Sequence, residues 1–549
     1  MHFLIEFQKI KYKKMDNNLK SAFKEGHNST LFDSINKNNL GKKIFLPKNP
    51  KGNLFYEFFK IANLIFPGFI LIILLGLIVA YDYIELEVNK EGLNQYLSDQ
   101  YSGPEPTYVY VDYIRTPSRD KKVNISSIND KIKLEWRSDT LTDFNNMFSD
   151  LENIVSFHMR VDYGNHTQMT YMFKNCINLV TFISNTNNDK PRFIEDMKGM
   201  FYNCQSLTSS IFRDFYFDQR TNIDLSYMFY NCKNLESIDI FSNEFKYIGN
   251  MKAMFYNCTS LTTIDLRKFK TDSKIDLSLA FYNCQNLQSI HFPSSFGISN
   301  MEQLFYNCQS LKTIDLTSFR PTSSYLDYSS LFFNCVNLTT LTITSSYFYI
   351  SDTREMFYNC ISLNSLSFSP RRAKNGFNMS KMFYNCINIK SITLKIDEHD
   401  VSFYYKPIDI SYMFYNCKNL ISLTLTHFKT DNTKYINHMF YNCRKLKDLD
   451  LNNSYFDNSL IINMKGVFQN CESIVSLDLN NFYTPIVEIM WDMFKGCSSL
   501  EELIIPNFDT SKVTDMESMF EGCSKIRSLN LSHFNTNHVQ YMNKMLKIV

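Results

Sequence analysis

The chain has 549 residues, of which 44% are hydrophobic and 20% charged, with a formal net charge of +2. That charge is unevenly placed: residues 1–60 carry 12 Lys and five acids, and the other 489 residues are net acidic, with 45 basic and 50 acidic side chains. A repeat array that grips nucleic acid should be basic, so nucleic acid is excluded as the expected partner.

Residues 1–60, rich in Lys and Asn, read as a basic cytosolic segment, mostly disordered. The run LIFPGFILIILLGLIVA, Leu64–Ala80, holds no charge. With its neighbours it predicts a transmembrane helix over 61–83, since about 20 apolar residues cross a ~30 Å hydrocarbon core. Lys60 precedes it, and Asp82, Glu85 and Glu87 follow. By the positive-inside rule this is a single-pass type II arrangement, with everything after the span outside the cytosol. Residues 84–140 read as a polar stalk and an N-terminal cap. Within them Thr107–Ile114 (TYVYVDYI) and Lys131–Trp136 (KIKLEW) alternate like strands that cover the first core layer.

Residues 141–549 form one array. All 14 cysteines fall at one register of a repeated phrase, 24 to 31 residues apart and most often 26. Each has Phe three residues before it and Leu or Ile three after, from Phe173–Cys176–Leu179 to Phe520–Cys523–Ile526. A fixed period of this size marks a solenoid. The unit Thr514–Val539 shows its grammar. Leu-x-x-Leu-x-Leu ends in an alternating half, a short strand that would stack into a parallel sheet. The preceding Met516, Met519 and Phe520 have helical spacing and predict one or two helical turns, with Thr514 or Asp515 as N-cap. The fold expected is an α/β solenoid of about 15 units, with its sheet on the concave side, helical turns opposite and one transmembrane helix in front. The first unit is atypical, with Leu151 at the cysteine register. YMNKMLKIV, ending at Val549, stops inside a sixteenth unit, which reads either as Val549 closing the array or as a truncation.

The residue before the cysteine is Asn in 12 units, Gly496 and Gly522 in two more, and Asp150 in the leading unit. These types tolerate positive φ, which predicts a left-handed residue there. One position earlier stand Tyr202, Tyr230, Tyr256, Tyr282, Tyr306, Tyr358, Tyr384, Tyr415 and Tyr441. Lys174, Lys495 and Glu521 occupy the same register, so the tyrosines are expected to form an exposed aromatic ladder. Cysteines stacked as parallel rungs, ~4.8 Å apart, do not face each other as a disulfide requires, so buried free thiols are expected. On the outward strand face, Thr263, Thr313 and Thr340 occupy one register and Asp239, Asp265, Asp315, Asp450 and Asp478 the next. This strip is the candidate binding surface. The histidines share no register, and there is no C-x-x-C, P-loop, nucleophile elbow or dinucleotide fingerprint. No catalytic residue, cofactor, metal or small-molecule substrate is therefore expected. The Asn-x-Ser/Thr sequons beyond the span are no more than chance gives in a chain this rich in Asn, Ser and Thr.

The phrase MFYNCxxLxxLxLxxFxT resembles the BspA-like leucine-rich repeats of bacterial and mycoplasma surface proteins, also abundant in anaerobic protists. The passage Asn507–Leu531, NFDTSKVTDMESMFEGCSKIRSLNL, is similar to a family consensus. The resemblance implies a leucine-rich-repeat solenoid working in adhesion or recognition, and it supplies no catalytic residues. Together these readings describe a plasma-membrane protein, not an enzyme, whose extracellular repeats bind a protein or glycan. The alternative is an intracellular or organelle-tethered scaffold of opposite topology.

Overall fold

The computed structural model describes residues 82–547, except 118, 137–140, 142, 161–166, 185–192, 213–215, 218–221, 240–247, 270, 323–325, 344–348, 351, 369–370, 373–377, 396–407, 427–432 and 452–459. Contacts divide the chain after Val79, and everything described lies in the second unit, Ala80–Val549. The basic segment 1–60, the expected span up to residue 81 and Val549 lie outside the described residues. The last two residues of that span are not helical: Asp82 and Tyr83 open strand β1 (Asp82–Val88). No helix among the described residues is long and apolar enough to cross a membrane. The transmembrane helix expected over 61–83 is therefore without support.

The segment read as a polar stalk starts with β1 itself. Ile84, Leu86 and Val88 alternate inward and are buried, a period of two that marks a half-buried strand. Strands β2 (Gly92–Gln95), β3 (Tyr108–Val111), β4 (Ile114–Arg115), β5 (Lys122–Ile125), β6 (Lys131–Trp136) and β7 (Ile154–Arg160) follow. β1 lies between β6 and β7 and is antiparallel to both. Beyond β7 the pairing turns parallel: Thr181–Ser184, Ser209–Phe212 and Ser237–Asp239 stack rung on rung. The cap thus shares one sheet with the first coils. The same register, the Leu-x-x-Leu-x-Leu segment, continues further on, as in Ser365–Phe368, Ser391–Lys395, Ser422–Thr426 and Asp448–Asp450.

A second parallel ladder, not foreseen from the sequence, runs along the segment before M-x-x-M. It joins Ile223–Asp224, Ile248–Asn250, Thr271–Asp276, Phe296–Asn300 and Phe319–Pro321. At its exit an Asx turn starts the next stretch. Asp196, Asp224, Asp276 and Asp515, for example, accept the N–H two residues on through Oδ1, at 2.7–2.9 Å. Asp515 was expected to cap a helix; it caps a turn.

The expected helical turns are corrected by the backbone. Among the described residues there is no helix, so the fold is an all-β solenoid and not α/β. Each coil carries two left-handed residues, four apart, such as Ser518 (φ 52°) and Gly522 (φ 78°). A left-handed residue ends a helix wherever it falls. The intervening amides close three-residue turns instead: Met519 N–H to Met516 O (3.3 Å), Glu521 to Ser518 (3.1 Å) and Cys523 to Phe520 (3.2 Å). The alternate amides leave the coil and donate to the next one: Ser518 to Asn543, Phe520 to Met545 and Gly522 to Lys547, at 2.8–2.9 Å. Donors that a helix would spend internally bind successive coils together.

The M-x-x-M-F-x-x-C stretch turns its apolar side chains into the core, where Met172, Phe173, Cys176 and Leu179 are fully buried. The phenylalanines stack coil on coil, from Phe148–Phe173 at 5.3 Å to Phe494–Phe520 at 5.5 Å, nearly parallel. Each such pair contributes about 0.5–1.5 kcal/mol beyond the area it buries.

Candidate functional site

All 14 cysteines are free and buried. Each thiol donates to the carbonyl of the phenylalanine one coil earlier, from Cys176 Sγ to Phe148 O (3.0 Å) to Cys523 Sγ to Phe494 O (3.2 Å). Burial pushes the thiols up, to about 12 at Cys284, Cys335 and Cys386, and to about 11 at Cys523 in the last complete unit. They stay protonated donors and are poor nucleophiles. The expectation of buried thiols holds; their hydrogen bond was not foreseen.

The left-handed residue before each cysteine is present, for example at Asn175 (φ 61°) and Asn359 (φ 59°). It does more than turn the chain. Asn Nδ2 donates to the Asn Oδ1 of the preceding coil in an unbroken row from Asn442 back to Asn175. Asp150 ends the row by accepting from Asn175 at 2.7 Å. A carboxylate suits that end, where an acceptor is needed and no further donation is possible.

Beside the asparagines runs the tyrosine ladder. Its rings are half-buried, not exposed. They stack face to face from Tyr202 to Tyr441 with Phe333 in line, centroids 4.4–4.6 Å apart and planes within 8°. Lys and Glu fit this register because only ring edges and hydroxyls reach water. The stack covers its own ring faces, so its interior offers none to a sugar or a cation. Burial, with its phenolic neighbours adding to it, raises the Tyr415 hydroxyl to about 12.

On the strand face, Thr263, Asp265, Thr313, Asp315 and Thr340 are exposed and Asp478 is half-buried. Asp239 and Asp450 fall at the corresponding strand position, their backbones paired with Ile211 and Thr424. Pairing sets Thr263 beside Ser289, Asp265 beside His291, and Thr313 beside Thr340. The carboxylates are not brought together, because Asp265 and Asp315 have the His291 coil between them. Among the described residues no three His, Cys, Asp or Glu converge as a metal site. Asp265, Asp315 and Asp478 each accept the N–H two residues on, at 2.9–3.0 Å. Part of each carboxylate is therefore spent on closing the turn after its strand. Asp265 also accepts from the Arg267 guanidinium (2.6 Å), which holds its carboxyl down at about 2.

A model described as Mycoplasma protein of unknown function, DUF285, matches residues 121–211, 167–292, 351–476 and 462–548, more than half of the chain. A model of the BspA-type leucine-rich-repeat region matches 252–370 and 277–407. The chain belongs to the DUF285 family, with BspA-type leucine-rich repeats. No curated protein matches it. Among solved structures, a leucine-rich cell surface protein of Faecalibacterium prausnitzii is similar at 19% identity, covering 69% of this chain and 92% of that one, with a TM-score of 0.32. A leucine-rich-repeat protein of Leptospira interrogans is similar at 14% identity, covering 71% and 86%, with a TM-score of 0.21. The BspA-type repeats suggest a protein-interaction role at a surface.

Proposed function

We propose that this DUF285 protein works outside the cytosol by binding a protein or glycan through the outward face of its strands. One observation carries the reading. Ser365, Ser391 and Ser422 form one outward row, and Ser367, Thr393 and Thr424 the next, above buried Leu366, Ile392 and Leu423. Short hydroxyl side chains keep this face level and able both to donate and to accept along its length. Regular arrays use such extended surfaces for recognition. The thiols are locked as buried donors and the tyrosine faces are mutually covered, which leaves the strand face as the broad polar surface.

Placement is tested by adding protease to intact cells that express the full chain: the repeats should be cleaved, and protection would sink it. Binding is tested by flow cytometry of labelled full chain on cells and matrix proteins. Thr313→Arg with Thr424→Arg, two exposed positions far apart along the array, should abolish that binding without changing thermal unfolding. Binding unaffected by the double change would refute the strand face as the contact.

A further inference from the structure

Gly199 and Gly466 stand at the first of the two left-handed positions in their coils, and each follows a lysine, Lys198 and Lys465. Any side chain at either glycine would run into a ring from the coil before: Tyr171 at Gly199, and Nδ1 and Cε1 of His438 at Gly466. These two rings sit at opposite ends of the tyrosine stack. Tyr171 meets Tyr202, its first member, edge to face at 6.2 Å, and His438 meets Tyr441, its last, in the same manner at 5.6 Å. Of the two, only the imidazole takes up a proton in weak acid.

His438 is half-buried and enclosed on several sides. From the coil before, Tyr412 lies tilted against it at 5.1 Å and Tyr415 meets it edge to face at 6.5 Å. Tyr441 belongs to its own coil, and Lys465 and Gly466 face it from the coil after. The three phenols are uncharged in acid, which leaves Lys465 as the charge that acts on the ring. Asp492, two coils on at the same register, is paired with Lys495 at 3.3 Å. The imidazole Nδ1 is buried and has no hydrogen-bond partner among the described residues. A proton there would bury a charged N–H without an acceptor, close to a lysine, and both disfavour the cation. Burial first, and Lys465 second, hold the imidazole down at about 4. The seam between this coil and the next also lacks two ties that the preceding seams have. Gln469 follows Tyr441, so the ring stack ends there. The row of Asn-to-Asn bonds ends at Asn442, whose Oδ1 accepts instead from Arg444 Nε at 2.7 Å. Across the seam His438, Phe440 and Asn442 N–H donate to Lys465, Val467 and Gln469 O, at 2.7–2.9 Å.

We propose that the seam between the His438 coil and the Gly466 coil is an acid-released latch: protonation of His438 loosens these two coils from each other while distant coils stay closed. The folded coil takes the proton less readily than the unfolded chain. Its contribution is therefore complete above the ordinary imidazole value of 6.5 and is lost as pH falls toward about 4. One proton changes the opening equilibrium by at most about tenfold per pH unit, and water at the open side of the ring reduces this. Hydrogen exchange of the full chain, corrected for its intrinsic pH dependence, is the test. Between about pH 7 and about pH 5, opening read at the amides of His438, Phe440 and Asn442 should rise about tenfold. The amides of Tyr171, Phe173 and Asn175, which bond across the matching seam beside Gly199, should stay level. His438→Tyr sets on Gly466 the ring that Tyr171 already sets on Gly199, so it should fold, and it should abolish the rise. A rise that persists in His438→Tyr, an equal rise at the Tyr171 seam, or no rise at all would each overturn the latch. A second readout needs no variant to fold: in the wild-type chain the Cε1–H resonance of His438 should titrate below about pH 5, and a midpoint at the ordinary value of about 6.5 would overturn the proposal as well.

Discussion

At the scale of the residue, the repeated cysteine is a hydrogen-bond donor that fits where little else would. It is small enough to lie fully buried against stacked phenylalanines, and its thiol reaches a carbonyl of the coil before. Cys360 illustrates this: its Sγ donates to Phe332 O at 3.1 Å, and Phe332 O also accepts the turn bond from Cys335 N–H. Cys360→Ala removes the thiol bond, leaves the turn bond in place and opens a small void, so it should cost about 1–2 kcal/mol. The readout is alkylation under native conditions: Cys335 and Cys386, the adjacent rungs, should become faster to modify while Cys523 stays unchanged. Unaltered protection at both neighbours would show that the thiol bond contributes nothing. Burial of Phe and Cys was legible in the sequence because their spacing never varies. The partner of the thiol was not, because it lies 28 residues away in sequence and is a backbone atom, for which residue types carry no signal. The asparagine row was hidden in the same way. Tolerance of positive φ sufficed to explain Asn, Gly and Asp at one register, so nothing in the spelling called for a side-chain ladder.

At the scale of the element, the M-x-x-M-F stretch shows how a helical spacing can belong to a turn. Met516, Met519 and Phe520 all point inward, as they would from a helix, yet Ser518 between them is left-handed. In other coils this register holds Tyr171, Ala253, Leu279, Gln303 and Lys381, all at positive φ. None of these types favours that conformation, and the Asn146, Gly199, Gly466 and Asp492 that tolerate it are scattered among them, so the residue types at this register carry a diluted signal. Their strain, about 1–2 kcal/mol per residue, is offset by the amides freed to bond the next coil. Gln303 (φ 53°) is a good test position because it is half-buried and its side-chain amide makes only a long contact, 3.4 Å to Glu302. Gln303→Gly removes the strain and should leave stability unchanged or raise it by up to about 1 kcal/mol, the unfolded-chain entropy cancelling part of the gain. Gln303→Val should lower it by about 1–2 kcal/mol, since a branched side chain is least tolerated there. Were the segment helical, glycine would instead cost about 1 kcal/mol, and urea unfolding followed by circular dichroism distinguishes the signs. The strands, by contrast, were readable, because Leu-x-x-Leu-x-Leu places alternate residues on opposite faces wherever it occurs. The second ladder was missed because its rungs, from two residues at Ile223–Asp224 to six at Thr271–Asp276, share no common spelling from coil to coil.

At the scale of the whole array, the coils hold each other in sequence, and the cap sets one boundary. The first complete layer, with Phe148 and Phe157 fully buried, is closed by β1 and the segment after β2. Ser98 N–H donates to Met147 O (2.8 Å), and Asn89 N–H to Asn153 O (2.9 Å). These bonds satisfy carbonyls that a further coil would otherwise take. In an array whose units contact only their neighbours, stability is a sum of unit and interface contributions, so damage at one end should spread inward and fade. Leu86→Asp places an unpaired charge at a fully buried position of β1, at a cost of several kcal/mol. Hydrogen exchange should then rise strongly in β6, β7 and Thr181–Ser184, more weakly at Ser209–Phe212, and not at Ser422–Thr426. A uniform rise across all of these strands would mean that the array opens as one cooperative block, in which case the cap would govern the entire solenoid and not only the coils it covers.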